Sequence, residues 1–192
     1  MHVLFVTSYY PSREAPVTGI FFHDQAVALH KAGHKVGVLV TPRLNVTFAH
    51  LKRGGKLERL TREAEQFPDF PVYRMHWGWF PRPFPFLIAP LLASAGSSAF
   101  ERYVREEGKP DVIQGHNIFY GGYLASALGE KYGIPAVITE YSSSYLEGLI
   151  IFPGQPAIIR RALRISKSNM VCGSSLIKPL KTYAPEQGFQ TS

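Results

Sequence analysis

The chain has 192 residues, 45% of them apolar, which suits one α/β domain with a sizeable core and excludes wholesale disorder. Lysine and arginine number 21 against 14 aspartates and glutamates, a net charge of +7 that favours anionic partners such as phosphate groups or acidic lipid head groups. No apolar run reaches the ~18–20 residues of a membrane span, the first six residues read as a strand and not as a signal peptide, and one cysteine, Cys172, excludes an internal disulfide or a multi-cysteine metal site.

These features point to a cytoplasmic protein. In chain order, residues 3–7 form a short apolar β-rich run. Phe22, Ala26 and Leu29 then recur at helical spacing, and Gly33 is placed to end that helix. Residues 36–40 are a second buried strand. Strand, helix and strand with continuous apolar strands imply parallel pairing through a right-handed crossover. Residues 42–70 read as connector or weak helix and hold a basic cluster of Arg43, Lys52, Arg53, Lys56, Arg59 and Arg62. Residues 72–77 are a third strand, and the closely spaced prolines of 77–86 forbid a helix. A helix over 90–107, stopped by Gly108 and Pro110, leads to a fourth strand at 111–115. A helix over 121–132, a strand over 135–140, a helix over 155–167 and a strand over 169–172 follow. A last helix runs through Tyr183 with Ser174 or Ser175 as its cap, and Cys172 is expected to be an inert core thiol. The expected architecture is a Rossmann-like three-layer α/β/α sandwich with a mostly parallel sheet, in one domain over 1–192.

An open parallel sheet binds ligands at the carboxyl ends of its strands, so chemistry is sought there. After the first strand, Gly19 stands just before a helix start. It is either a turn glycine or a place where a phosphate or sugar approaches backbone amides at the positive end of the helix. No second and third glycine follow at dinucleotide spacing, which disfavours a nicotinamide cofactor. His23, in the same helix, is placed to face this loop. After the fourth strand come His116 and Asn117. The imidazole serves proton transfer or a sugar hydroxyl, or it caps the following turn. After the fifth strand, Glu140, Tyr141 and Ser142 offer a carboxylate, an aromatic ring and hydroxyls that suit carbohydrate, against the alternative of a serine-rich capping loop. The segments 43–62 and 77–86 form either a solvated basic face or a surface for anionic lipid or a bulky acceptor. No nucleic-acid signature is present. His30, His34, His50 and His76 lack metal-ligand spacing, so neither metal nor cofactor is expected.

Four segments together carry a resemblance. They are Leu29-His30-Lys31-Ala32-Gly33-His34-Lys35-Val36, Pro110-Asp111-Val112-Ile113-Gln114-Gly115-His116-Asn117, Gly133-Ile134-Pro135 leading to Thr139-Glu140-Tyr141, and Ser166-Lys167-Ser168-Asn169-Met170-Val171-Cys172-Gly173-Ser174. In order and spacing they resemble the N-terminal domain of family 4 glycosyltransferases, the glycogen-synthase-like retaining enzymes of the GT-B fold. The resemblance implies a hexosyl- or glycosyltransferase that moves a sugar from a nucleotide-sugar donor to a glycan or lipid-linked acceptor, with retention at the anomeric carbon. It implies that this chain is the acceptor-side half, inactive alone, whose donor-binding C-terminal domain is absent. By motif matching it places Gly19 near donor phosphates or acceptor, His116 as the catalytic-site residue beside the transferred sugar, and Glu140 and Tyr141 on the acceptor side. His23, Asn117 and Ser142 complete the candidate substrate contacts. Two departures are Thr18-Gly19 where the family has a double glycine, and Tyr141 where it has histidine. The rival readings are half of a nucleotide-sugar epimerase and a non-enzymatic module that binds anionic surfaces. Peripheral contact with the inner face of a membrane is a further expectation.

Overall fold

A computed structural model describes residues 1–42, 57–63, 66–67, 69–77, 88–150 and 154–191. Its strands are β1 (His2–Thr7), β2 (Lys35–Val40), β3 (Leu57–Arg62), β4 (Val72–Trp77), β5 (Val112–His116), β6 (Ala136–Glu140), β7 (Ser168–Val171) and β8 (Phe189–Thr191). They form one sheet in the order β3-β4-β2-β1-β5-β6-β7-β8. The pairing is parallel throughout except for the antiparallel pair β3–β4 at one edge. The helices are α1 (Ile20–Lys31), α2 (Ile88–Glu107), α3 (Tyr123–Tyr132), α4 (Gln155–Ile165) and α5 (Ile177–Lys181).

Strand alternation divides the core. Val3 and Phe5 of β1 join Val36, Val38 and Val40 of β2 under Phe22 and Ala26 of α1. Leu4, Val6 and Leu39 face the opposite way, onto Phe100 and Tyr103 of α2, Leu124 and Leu128 of α3 and Ile159 of α4. The result is the expected α/β/α sandwich. The helix–strand alternation of the sequence is sound because the β1 and β2 runs are mostly apolar on both faces, as strands covered by helices on both sides must be.

Several expectations are corrected. The basic stretch read as connector or weak helix contains β3. Its sequence, Leu-Glu-Arg-Leu-Thr-Arg, is too polar for a central strand, but the sheet places it at an edge. β8 is an added parallel edge strand of three residues. The helix expected from 121 begins at Tyr123, because residues Ile118–Gly122 form a wide turn. α4 stops at Ile165, where the Ser166 hydroxyl and the Asn169 amide both donate to the Leu163 carbonyl. The last helix ends at Lys181, and neither Ser174 nor Ser175 makes the expected side-chain cap. Cys172 is exposed and not a core thiol. β7 ends at buried Val171, so the next side chain points to solvent. Among the described residues no helix is long and apolar enough to cross a membrane.

Candidate functional site

The register brings the carboxyl ends of the central strands into one row. Thr7 pairs with Val40 on one side and with His116 on the other, and His116 pairs with Thr139. The His116 side chain therefore shares a face with Phe5 and points under the first turn of α1. Its ring lies 4.5 Å from the Phe5 ring, 4.5 Å from Phe22 and 5.9 Å from Tyr141. It is 0% exposed, and neither ring nitrogen has a hydrogen-bond partner among the described residues. Leaving a buried polar group unpaired costs about 1–3 kcal/mol. Desolvation pushes the imidazole pKa down to about 3, so the ring is neutral at physiological pH. It is not a standing cation, and because Phe5, Phe22 and Tyr141 pack against the ring, a ligand reaches its nitrogens only when these side chains move.

A pH dependence of stability follows. The native value lies below the ordinary 6.5, so below pH 6.5 the unfolded chain binds the extra proton first. The stability tied to this group is present above pH 6.5 and is lost as pH falls toward about 3, at up to about 1.4 kcal/mol per pH unit. Urea unfolding of the wild type and of His116→Leu between pH 7 and 4 should give curves that diverge with acidification, the variant losing less. Parallel pH dependences would contradict a buried, unpaired His116.

Gly19 opens α1 with φ +68°, and a Cβ there would lie 2.4 Å from the Tyr9 carbonyl oxygen. The loop after β1 thus folds back tightly on the helix start. Arg74 of β4 braces it, donating to the Pro11 carbonyl at 2.7 Å while ion-paired with Glu63 at 2.6 Å. The first turn of α1 holds no acidic residue and no side-chain cap, and the carbonyls of Val17 and Gly19 accept the N–H groups of Ile20, Phe22 and His23. His23 does reach this loop, through a 3.0 Å hydrogen bond between its Nδ1 and the Tyr10 hydroxyl. Its ring packs on Phe67 and Phe70 and not on His116 or Tyr141.

After β5 the chain turns sharply. Asn117 has φ +61° and Tyr120 φ +71°, conformations that cost roughly 1–3 kcal/mol each and collect at functional sites. Gly121 is required here, because its Cβ would meet the His116 carbonyl at 2.3 Å. Glu140 follows Thr139, the partner of His116, and so points to the opposite face of the sheet. Its carboxylate accepts the Ile118 N–H at 2.6 Å, the Tyr141 N–H at 2.9 Å and the Ser142 N–H at 2.7 Å. Burial raises its pKa, and the three donors work against that rise. The carboxylate is 1% exposed and spent on backbone, so the expectation that it lines the acceptor side is corrected. Asn117 Oδ1 also accepts the Tyr141 N–H, at 3.3 Å.

Tyr141 stays at the rim. Its ring packs on Phe21 and Phe22, and its hydroxyl accepts from the Gln25 amide at 3.2 Å. Ser142 accepts the Ser144 N–H at 3.2 Å and donates to the Ser144 hydroxyl, which is the capping alternative and not a free hydroxyl. The structure thus gathers Gly19, His116 and Tyr141 around the first turn of α1. It makes Asn117, Glu140 and Ser142 the scaffold of the adjoining loops. Gln25 was not foreseen, although its place three residues after Phe22 puts it on the same helix face. Tyr9, Val17, Ile20 and Phe21 add exposed apolar surface beside Gly19. Of the basic cluster, Arg62 pairs with Glu107 at 3.1 Å. Residues 43–56 and 78–87 lie outside the described residues.

Residues 18–172 match the Glycosyl transferase 4-like domain. The chain belongs to this family. The match takes in Gly19, His116, Glu140 and Tyr141. A teichuronic acid biosynthesis glycosyltransferase of Bacillus subtilis (strain 168), TuaC, is 27% identical over 144 residues, 74% of this chain and 36% of that protein. The chain therefore spans about a third of that relative's length. Among solved structures, a UDP-N-acetylglucosamine 2-epimerase of Listeria monocytogenes has a TM-score of 0.56 at 12% identity, covering 94% of this chain and 42% of that one. Arabidopsis thaliana UGT89C1, complexed with UDP-L-rhamnose, has a TM-score of 0.55 at 13% identity, covering 99% and 51%. At such identities these structures share the fold alone. The glycosyltransferase 4-like domain is here the Rossmann-like half of a GT-B fold.

Proposed function

We propose that residues 1–192 are the acceptor-side half of a retaining glycosyltransferase. The enzyme moves a hexosyl or related sugar from a nucleotide-sugar donor to a glycan or lipid-linked acceptor. A second Rossmann-like domain holds the donor nucleotide, and 1–192 alone is inactive. The observation that carries this reading is His116, a neutral imidazole with no hydrogen-bond partner among the described residues, at the carboxyl edge of the sheet beside the start of α1. The imidazole, covered by Phe22 and Tyr141, hydrogen-bonds the transferred sugar once that cover moves aside. The helix start, opened by Gly19, faces negative charge that develops on the departing phosphate. Tyr141 and the apolar rim at Phe21 stack on the acceptor. The enzyme works in the cytoplasm, and its basic segment at 43–62 with 77–86 rests on the anionic inner face of the membrane. The name of the Bacillus relative, a polysaccharide-building enzyme, accords with a surface-glycan acceptor.

The epimerase alternative draws on the fold likeness to the Listeria protein. It needs carboxylates at the strand ends. Glu140, the one foreseen there, is buried on the far face and fully engaged. The test is the full-length enzyme incubated with a panel of nucleotide sugars, with and without glycan and lipid-linked acceptors. Nucleoside diphosphate release that depends on acceptor is the expected result. An epimerised donor without acceptor would select the epimerase. No turnover, together with vesicle binding abolished by salt, would select a surface-binding module.

A further inference from the structure

We infer that Glu140 is a positioning residue: it clamps the strained turn that sets His116 and does not touch substrate. The inference rests on the proposed role of His116. Glu140 stands on the face opposite His116, yet its two oxygens reach both loops that flank the imidazole. One oxygen takes the Ile118 N–H, two residues beyond His116. The other takes the Tyr141 and Ser142 N–H groups, at the start of the loop whose Tyr141 ring covers the imidazole. Between these anchors lies Asn117 at φ +61°, held additionally by its own Oδ1 on the Tyr141 N–H. The turn beyond runs through Tyr120 at φ +71° and closes when the Gly122 N–H donates to the Asn117 carbonyl at 2.7 Å.

The chemistry demands a carboxylate. Three N–H donors converge on one side chain, so both of its oxygens must accept. An amide of the same shape would aim an NH2 group at one or two of the donors. A shorter carboxylate would keep the acceptors but fall short of the reach. Positive φ values at Asn117 and Tyr120 persist only where the surroundings over-determine them, and Glu140 supplies that constraint. The role explains why a buried acid sits at the end of β6 with no cationic side chain bonded to it among the described residues.

The experiment compares the full-length enzyme with Glu140→Gln and Glu140→Asp, by hydrogen exchange and by steady-state kinetics, with His116→Leu in parallel. In Glu140→Gln, amides of 117–122 and 141–142 should exchange about tenfold faster or more, while those of β1 and β2 keep their protection. Its kcat should fall about tenfold or more with donor KM within about twofold, because the error is one of placement. Glu140→Asp should recover part of both effects, and it carries the comparison if Glu140→Gln does not fold. Unchanged exchange with lost turnover would overturn the inference, since Glu140 would then act on substrate. Faster exchange with unchanged kcat, while His116→Leu is impaired, would also overturn it. Wild-type turnover in His116→Leu would instead sink the site reading, and the exchange data alone would then decide whether Glu140 holds the turn.

Discussion

In the full-length enzyme, His116→Leu should lower kcat by about 100-fold or more, while the folded protein stays at least as stable as the wild type at pH 7. The two halves of this expectation have one cause. The wild-type ring is fully buried among Phe5, Phe22 and Tyr141, with neither nitrogen paired among the described residues. Such an arrangement opposes folding until a ligand or an ordered water supplies the partners. Leucine fills much of the same volume and has no polar atom to satisfy. Substitution therefore removes a destabilising group together with the hydrogen bonds it makes to substrate. Steady-state rates and urea midpoints of both proteins check this. Undiminished turnover would remove His116 from the site. A stability loss of several kcal/mol would mean that the ring is a satisfied core residue.

Gly19→Ala should destabilise the domain by about 2–4 kcal/mol, a large loss for a single methyl group. Left-handed backbone at φ +68° disfavours any side chain. The new Cβ would also lie 2.4 Å from the Tyr9 carbonyl oxygen and 3.0 Å from the Tyr10 nitrogen. These are backbone atoms, and the Arg74 bond to Pro11 ties the same loop to β4, so the neighbour cannot simply rotate away. The loop must shift, and the start of α1 shifts with it, moving Phe22 off His116. Chemical unfolding measures the loss. A change under about 0.5 kcal/mol would show that the loop is not packed as described.

Most of the fold was legible because its central strands are short apolar runs, which in an α/β chain means burial on both faces. β3 was not, since an edge strand has one exposed side and its charged sequence looks like a connector. β8 gives no periodic signal in three residues. At the site, the rule that parallel sheets act at their carboxyl ends pointed to His116, Gly19 and Tyr141, which the structure brings together around the first turn of α1. It said nothing about which face each side chain takes. That depends on register, and the pairing of His116 with Thr139 sends Glu140 to the other side. Positive φ at Asn117 and Tyr120 was equally invisible, because neither residue is glycine and the turn is shaped by the tertiary clamp at Glu140. The Cys172 error has the same root: the strand ended one residue sooner than its apolar run suggested.

A retaining glycosyltransferase built on this domain, as proposed, would pass the sugar lying against His116 to the acceptor without changing its anomeric configuration. The anomeric configuration of the product, followed by proton NMR during transfer from the donor that the panel selects, tests it most directly. The expected product anomer has the donor's own configuration from the first turnover, and product formation is lost in His116→Leu. A first-formed product of inverted configuration would contradict it.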